Sequence, residues 1–352
     1  MLRIACKACG FVGGLRPLGN IREDEDVCFQ ITRESLERAS LRILARRFHK
    51  SRNTILKIIH RVTSQLLDSV SIQQKFLPSW SSVLVFDGKV VRVYDKLSTK
   101  LKHSSLSEDE LRSMNKMRWL VGVDFGTGDL PHYALAKEES RIDLVMYFKT
   151  LKEIGYPLKA LVCDGNPEIP RAAKFVFGDQ IVAQLCTRHF MEGLRRLLPE
   201  EERPLMREKL EKILTCIQRV IEANDLEEAE GNLQHLKEFS STFCHPIASH
   251  CIALFKLHKE QLCAHFLHPE LGLPHTSNDA ENLIRQLNQR LKLFGRFFHH
   301  IYAKDYLNAW ALLRRFTPFT DCRGIRKCRN GKAPLKIAGC EIQRIDPLKL
   351  KR

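Results

Sequence analysis

Between Thr32 and Val62 apolar residues recur every three or four positions, the repeat of helices that bury one face. Leu41, Leu44, Ala45 and Phe48 mark one such helix. Ile55, Ile58, Ile59 and Val62 mark another, which Ser51 can cap. Glu34 to Ala39 fits a shorter helix ahead of both, and His49-Lys50 a tight turn between them. Two short helices, a turn and a third helix predict a helix-turn-helix over residues 31–74. Residues 75–82, with Pro78, read as a linker.

Beyond the linker the pattern changes to short apolar runs. Val83 to Phe86 ends at Asp87-Gly88, and Val90 to Val93 follows at once. Trp119 to Phe125 and His132 to Ala136 are two more, so an antiparallel meander with hairpin turns is expected. Ile142 to Ile154 then has helical spacing. Ala160 to Cys163 reads as a buried strand ending at Asp164-Gly165, Pro167 to Phe177 as a helix, and Ile181 to Leu185 as a strand. Antiparallel strands feeding a parallel βαβ unit predict an α/β fold, a mixed sheet covered by helices. That is the element order of an RNase H-like core, with its first part at 79–191. Residues 192–270 are charged and helical throughout, as in Leu210, Ile213, Leu214, Ile217 and Ile221, and read as an all-helical insertion. Residues 271–317 bring the final helices of the core. The basic, turn-rich residues 318–352, with Arg323, Arg326, Lys327, Arg329 and Lys332, read as a tail that touches nucleic acid or stays mobile.

The helix predicted over Thr276 to Phe297 separates into two faces. Leu283, Leu287, Leu291 and Phe294 form an apolar stripe, while Glu281, Arg285, Asn288 and Lys292 form a polar one. A carboxylate followed by cationic and amide groups suits a site where metal ions and a phosphate backbone meet one helix. The competing reading is a capping box, with Asn278 as N-cap and Glu281 at N3.

Charge sharpens the picture. The chain has 352 residues, 44% hydrophobic and 28% charged, with a formal net charge of +16 and a pI near 9.4. A soluble globular protein with that excess favours a polyanionic partner, most often nucleic acid. Arg46, Arg47, Arg52, Asn53, Thr54 and Lys57 lie on the polar face of the helix-turn-helix. These types bond base edges and phosphates from a helix in the major groove. The alternative is a three-helix bundle used for dimerisation. The 12 cysteines read as reduced thiols of a cytoplasmic, nucleoid-associated protein. The start MLRIACKACGF has no apolar leader, and no run of about 18 apolar residues predicts a membrane span. Cys6 and Cys9 have zinc-knuckle spacing but lack the other two ligands, so residues 1–30 read as a remnant zinc ribbon without metal.

Asp87 and Asp164 each follow an apolar run and precede glycine. In an open sheet such strand ends share a crevice. With Glu281 brought alongside, three carboxylates would repel one another unless a cation neutralised them. Hard oxygen donors select Mg²⁺ or Mn²⁺, which can activate an attacking oxygen and stabilise a leaving one at a phosphodiester. Each residue alone also fits a plain turn: Asp-Gly as a hairpin, Asp164 as a strand-to-loop turn. Val123-Asp124-Phe125-Gly126-Thr127-Gly128 looks like the phosphate loop of actin-like ATPases, but no second nucleotide loop accompanies it, and it reads as a strand and turn.

Four segments in order resemble the DDE transposases of insertion sequences related to the Mutator superfamily. VLVFDG resembles the strand of the first Asp, and LVCDGNPEI the strand and turn of the second. CTRH resembles the C/DxxH signature, and TSNDAENLIRQLNQRLK the segment with the final Glu. The resemblance spans roughly residues 80 to 300, and the family shares the helical insertion. It implies Asp87, Asp164 and Glu281 as catalytic metal ligands for Mg²⁺ or Mn²⁺, and Cys186 and His189 as accessory site residues. It also implies DNA contacts from Arg285, Arg290 and Lys292, and a homodimer or higher oligomer on the element ends and target. The implied reaction is hydrolysis at an element end, then attack of the freed 3′-hydroxyl on target DNA. Without the resemblance, Cys186 and His189 would read as a buried thiol and a helix-start histidine. The shortened zinc-ribbon region leaves open a catalytically inactive or domesticated DNA-binding derivative. An RNase H-like nuclease or resolvase is the third reading.

Overall fold

A five-stranded mixed sheet is the platform on which the candidate residues stand. The structure is a computed structural model that describes residues 3–5, 12–14, 24–93, 116–199, 203–295 and 297–352. Cys6 and Cys9 lie outside the described residues. A short antiparallel pair, β1 (Arg3–Ala5) and β2 (Val12–Gly14), precedes the helices.

Helices α1 (Glu25–Glu37), α2 (Leu41–Arg47) and α3 (Arg52–Thr63) follow, then α4 (Ser69–Phe76). Each starts at a side chain that accepts a backbone N–H: Asp24, Ser40, Ser51 and Asp68. The first helix begins well before the expected Glu34, because Asp24 caps it and Glu25 and Asp26 suit the positive end of its dipole. Ile55, Ile58, Ile59 and Val62 are buried as their spacing requires, and His49 takes a φ of 50° in the turn between α2 and α3.

The sheet comprises β3 (Val83–Arg92), β4 (Lys116–Asp124), β5 (Tyr133–Ala136), β6 (Ala160–Cys163) and β7 (Val182–Leu185), in the order β5-β4-β3-β6-β7. β3, β4 and β5 are antiparallel neighbours, whereas β6 and β7 run parallel to β3. This arrangement is compatible with an RNase H-like core. One expectation fails here: Asp87-Gly88 is no hairpin turn. β3 runs straight through it, with Asp87 opposite Val121 and Gly88 opposite Leu120. A ladder of nine residue pairs with β4, from Leu84↔Asp124 to Arg92↔Lys116, outcompetes a two-residue turn.

Strand alternation sorts the two faces. Leu84, Phe86, Leu120 and Leu161 pack with Leu144, Tyr147, Phe148 and Ile169 of α5 (Arg141–Glu153) and α6 (Glu168–Phe177). Val83, Val85, Trp119, Val121 and Val162 face the other way, into the core shared with the N-terminal helices, α12 (Asn278–Phe294) and α13 (His300–Phe316). Between β7 and α12 the chain is helical: α7 (Thr187–Arg195), α8 (Pro204–Ile221), α9 (Leu226–Thr242), α10 (Pro246–Leu262) and the one-turn α11 (Ala264–Leu267). They bury a third core around Ile213, Ile217, Val220 and Phe255.

α13 threads the centre. Its Arg315 is fully buried and forks onto Asp129 at 2.8 and 2.7 Å, while Trp80 donates to the same carboxylate at 3.0 Å. Asn308 accepts from Tyr133 and donates to the carbonyl of Leu67.

Residues 318–352 are not a free tail. Leu335 and Leu348 are fully buried, and the backbone N–H of Arg352 donates to the Gln65 carbonyl. Arg329 donates to the carbonyls of Phe125 and Gly126. Periodic apolar residues in this segment are too sparse to announce that packing. The Asp124 turn is structural as well. Both its oxygens are consumed by Ser81, Tyr156 and Thr127, and the approach to Gly126 is filled by Ser81. A phosphate has no opening there.

Candidate active site

The register of the parallel strands lines up three of the expected residues. β3 and β6 pair Val83 with Ala160 and Val85 with Val162, so two rungs further Asp87 stands level with Asp164. β6 and β7 pair Cys163 with Leu185, which sets Asp164 level with Cys186. Neighbouring strands lie about 4.8 Å apart, so the row is compact. Alternation puts Asp87 on the same face as Val83 and Val85, the face that packs against α12. Asp87 thus sits inside a strand, where β3 outruns the end of β6 and leaves its flank open.

The carboxylates feel one another. Burial pushes the Asp87 carboxyl up, the Gly88 N–H at 2.7 Å pulls it down, and the negative charge of Asp164 pushes it up again, for a net rise. Asp164 accepts from the backbone of Asn166 at 3.1 Å in a tight turn. A further acid, Glu139, joins them: burial and the charges of Asp164 and Asp87 raise it, and Arg118 opposes. Its carboxylate occupies the space where a Cβ on Gly88 would be, 2.4 Å from that position. Sequence reasoning missed Glu139, because an acid just before the Ser140 cap looks like any helix-start residue. The signal lay in the strand opposite, where a mid-strand glycine marks a close approach.

The start of α7 and the start of α12 close the other side. Cys186 is fully buried at the N-terminus of α7, with its N–H on the Cys163 carbonyl at 2.8 Å and its Sγ accepting from the Ser277 N–H at 3.4 Å. Burial pushes its thiol up, but interaction with His189 and Ser277 outweighs this and brings it down to about 7. His189, one turn on, is raised first by Cys186; burial opposes this, and the charges of Cys186, Asp87 and Asp164 add to the rise. Glu281 lies 3.8 Å from Nε2 of His189, with its side chain 18% exposed. Ser277 Oγ donates to its Oε1 at 2.8 Å, and Arg188 pairs with its Oε2. The capping box does not form: Ser277, not Asn278, is the cap residue, and Asn278 accepts from Arg188 at 3.3 Å. Arg188, inside the CTRH segment, is a second residue that sequence reasoning passed over.

Charge interactions link Asp87 and Asp164 to His189, and Glu139 to both aspartates from the Gly88 face of β3, while His189 in turn neighbours Cys186 and Glu281. Ligand atoms of Cys186, His189 and Glu281 lie within 4.8 Å of one another, close enough for one cation. Asp87, raised by burial and Asp164, and Glu139, raised by burial, Asp164 and Asp87, lie outside that group. Among the described residues, Cys186, His189 and Glu281 are the set that fits a metal ion.

The other expected contact residues lie on separate surfaces. Arg46, Arg47, Arg52, Asn53 and Lys57 are exposed on α2 and α3, with Arg47 paired to Glu34. Thr54 is half-buried; its hydroxyl and N–H are both engaged by Ser51 at the start of α3. On α12, Arg285 and Lys292 are exposed and Arg290 half-buried. Among the described residues no helix is long and apolar enough to cross a membrane.

No family model and no curated protein matches the chain. Among solved structures, the Drosophila P element transposase strand transfer complex aligns with a TM-score of 0.35 and 12% identity, over 94% of each chain.

Proposed function

We propose that the chain is a DNA transposase of the Mutator-related insertion-sequence group, with Asp87, Asp164 and Glu281 as its catalytic carboxylates. What supports this reading is the register that extends Asp87 to the level of Asp164 on neighbouring parallel strands, with His189 feeling both charges and lying 3.8 Å from Glu281. In this reading residues 31–74 are a helix-turn-helix that binds element ends through Arg46, Arg47, Arg52, Asn53, Thr54 and Lys57. Residues 79–191 and 271–317 form an RNase H-like core, interrupted by the helical insertion 192–270. Arg285, Arg290 and Lys292 carry phosphate contacts along α12. Dimerisation would pair two ends.

Asp87, Asp164 and Glu281 would hold Mg²⁺ or Mn²⁺. The ions supply activation of an attacking oxygen and charge neutralisation at the phosphodiester. His189, raised by Cys186 and by the charges of Asp87 and Asp164, stands between those aspartates and Glu281. Cys186 orients that imidazole, and burial within the fold keeps the thiol from solvent.

The test is strand cleavage and joining on the cognate ends with Mg²⁺. Loss of both activities in Asp164→Ala is expected; an active wild type matched by Asp164→Ala overturns the assignment. A second reading, a catalytically silent DNA-binding derivative, draws on the Arg188–Glu281 ion pair, which already neutralises the third carboxylate. It predicts salt-sensitive DNA binding without any Mn²⁺ uptake.

A further inference from the structure

A groove of about 910 Å³ runs between the end of α1, the outer face of α12, the last turns of α13 and the segment from Thr317 to Arg329. Seven arginines line it against three carboxylates, an excess of four positive charges. Three of the arginines, Arg38, Arg285 and Arg323, are exposed and take part in no ion pair among the described residues. They come from three different parts of the chain, and the fold brings them to one cleft. Two others are fixed in place: Arg326 pairs with Asp279 and lies over the Phe125 ring, and Arg329 is anchored on the Phe125 and Gly126 carbonyls. These contacts build the wall rather than fill it.

We propose that this groove binds a nucleic-acid strand through its phosphate backbone, as a contact surface separate from α3. It rests on the reading of the chain as a DNA-binding protein, and not on its catalysis. Arginine presents a planar fork that matches phosphate oxygens. The floor supplies more than charge. Asn282, Gln286 and Gln289 follow one another at helical spacing along α12 and line the groove. Amides both donate and accept, which suits sugars and base edges between phosphates. Asn282 to Gln289 covers about 10 Å of helix, room for roughly three stacked nucleotides at about 3.4 Å each. An acidic peptide would use the arginines but leave this amide row unused. The groove also adjoins the site: Arg285 is one helical turn beyond Glu281. A strand lying there runs along α12 and continues towards Arg38 at the end of α1.

The experiment uses the full chain, fluorescent duplex and single-stranded DNA of arbitrary sequence, and binding measured across a salt series. The triple variant Arg38→Ala, Arg285→Ala, Arg323→Ala should lower the salt slope by about two to three units, near 0.7–0.9 per lost phosphate contact. All three side chains are exposed, so melting should be unchanged. A photo-crosslinker at Gln286 should capture the same DNA. Arg52→Ala with Lys57→Ala reports α3 separately. An unchanged slope in the triple variant, with no crosslink while the α3 variant loses binding, overturns the groove and leaves the DNA-binding reading intact. Wild-type protein that binds neither DNA form fails the DNA-binding reading itself. Capture of labelled polyglutamate at Gln286, with no capture of either DNA form, would overturn the proposal in favour of an acidic polypeptide.

Discussion

Replacing Arg188 by alanine is expected to strengthen divalent-cation binding about two- to fivefold. The guanidinium now occupies one oxygen of Glu281 and also reaches Glu192 at 3.6 Å and Asn278 at 3.3 Å. Its side chain is 45% exposed, against 18% for Glu281. An ion pair with one partner that open to solvent is screened, so it is worth about 0.5–1 kcal/mol, well below a buried pair. A cation binding Glu281 must displace it, and removing the competitor returns that energy to the cation. At about 1.4 kcal/mol per decade this is a factor of two to five. Glu281 should stay in place, because Ser277 Oγ still holds Oε1 at 2.8 Å. Calorimetric titration with Mn²⁺ at low salt measures the change, with Glu281→Gln as the variant that weakens binding. Folded Arg188→Ala that binds Mn²⁺ no better than wild type would refute the competition. Folded Glu281→Gln with undiminished affinity would remove Glu281 from the ligand set.

Three further outcomes follow from the same geometry. Asp87 has its carboxyl raised by burial and by Asp164. A raised acid stabilises the fold below its ordinary value and loses that contribution as pH climbs through the raised one. Asp87→Asn should therefore melt higher than wild type at neutral pH, with the gap closing in acid, while strand cleavage is lost; equal melting at neutral pH would count against the burial argument. Asp129→Asn leaves Arg315 buried without its counter-charge and should cost about 3–5 kcal/mol in urea unfolding, whereas Asp129→Leu with Arg315→Met should recover most of it. Gly88→Ala should cost the fold little, since the Glu139 carboxylate is the flexible end of its side chain, but should move that acid aside and weaken Mn²⁺ binding as Glu139→Gln does. Unchanged titrations in both variants would exclude Glu139 from the site.

The periodicities were enough for much of this. A four-residue apolar run such as Ala160 to Cys163 is buried on both faces because nothing polar interrupts it, and the stripe Leu283, Leu287 and Phe294 turns inward for the same reason. Those patterns are local, so most strands and helices could be read from the chain, with Asp164 following a strand and Glu281 on a helix. Asp87 shows the limit. Its Asp-Gly pair is a strong turn signal, and it lost to a ladder with β4, whose partner residues begin some thirty positions away. Glu139 and Arg188 entered the site through contacts made across the sheet and between helix starts, which no spacing along the chain encodes. The C-terminal residues look like a solvated basic run, yet they close over the core because α13 and the N-terminal helices leave a surface for Leu335 and Leu348. Sequence by itself determined most of the helical and strand segments and which residue types could do chemistry, because backbone period and side-chain character are properties of neighbours along the chain. Only the tertiary structure decided which acids meet, which cation faces them and where the arginines gather, because burial and Coulomb energies depend on distance in space.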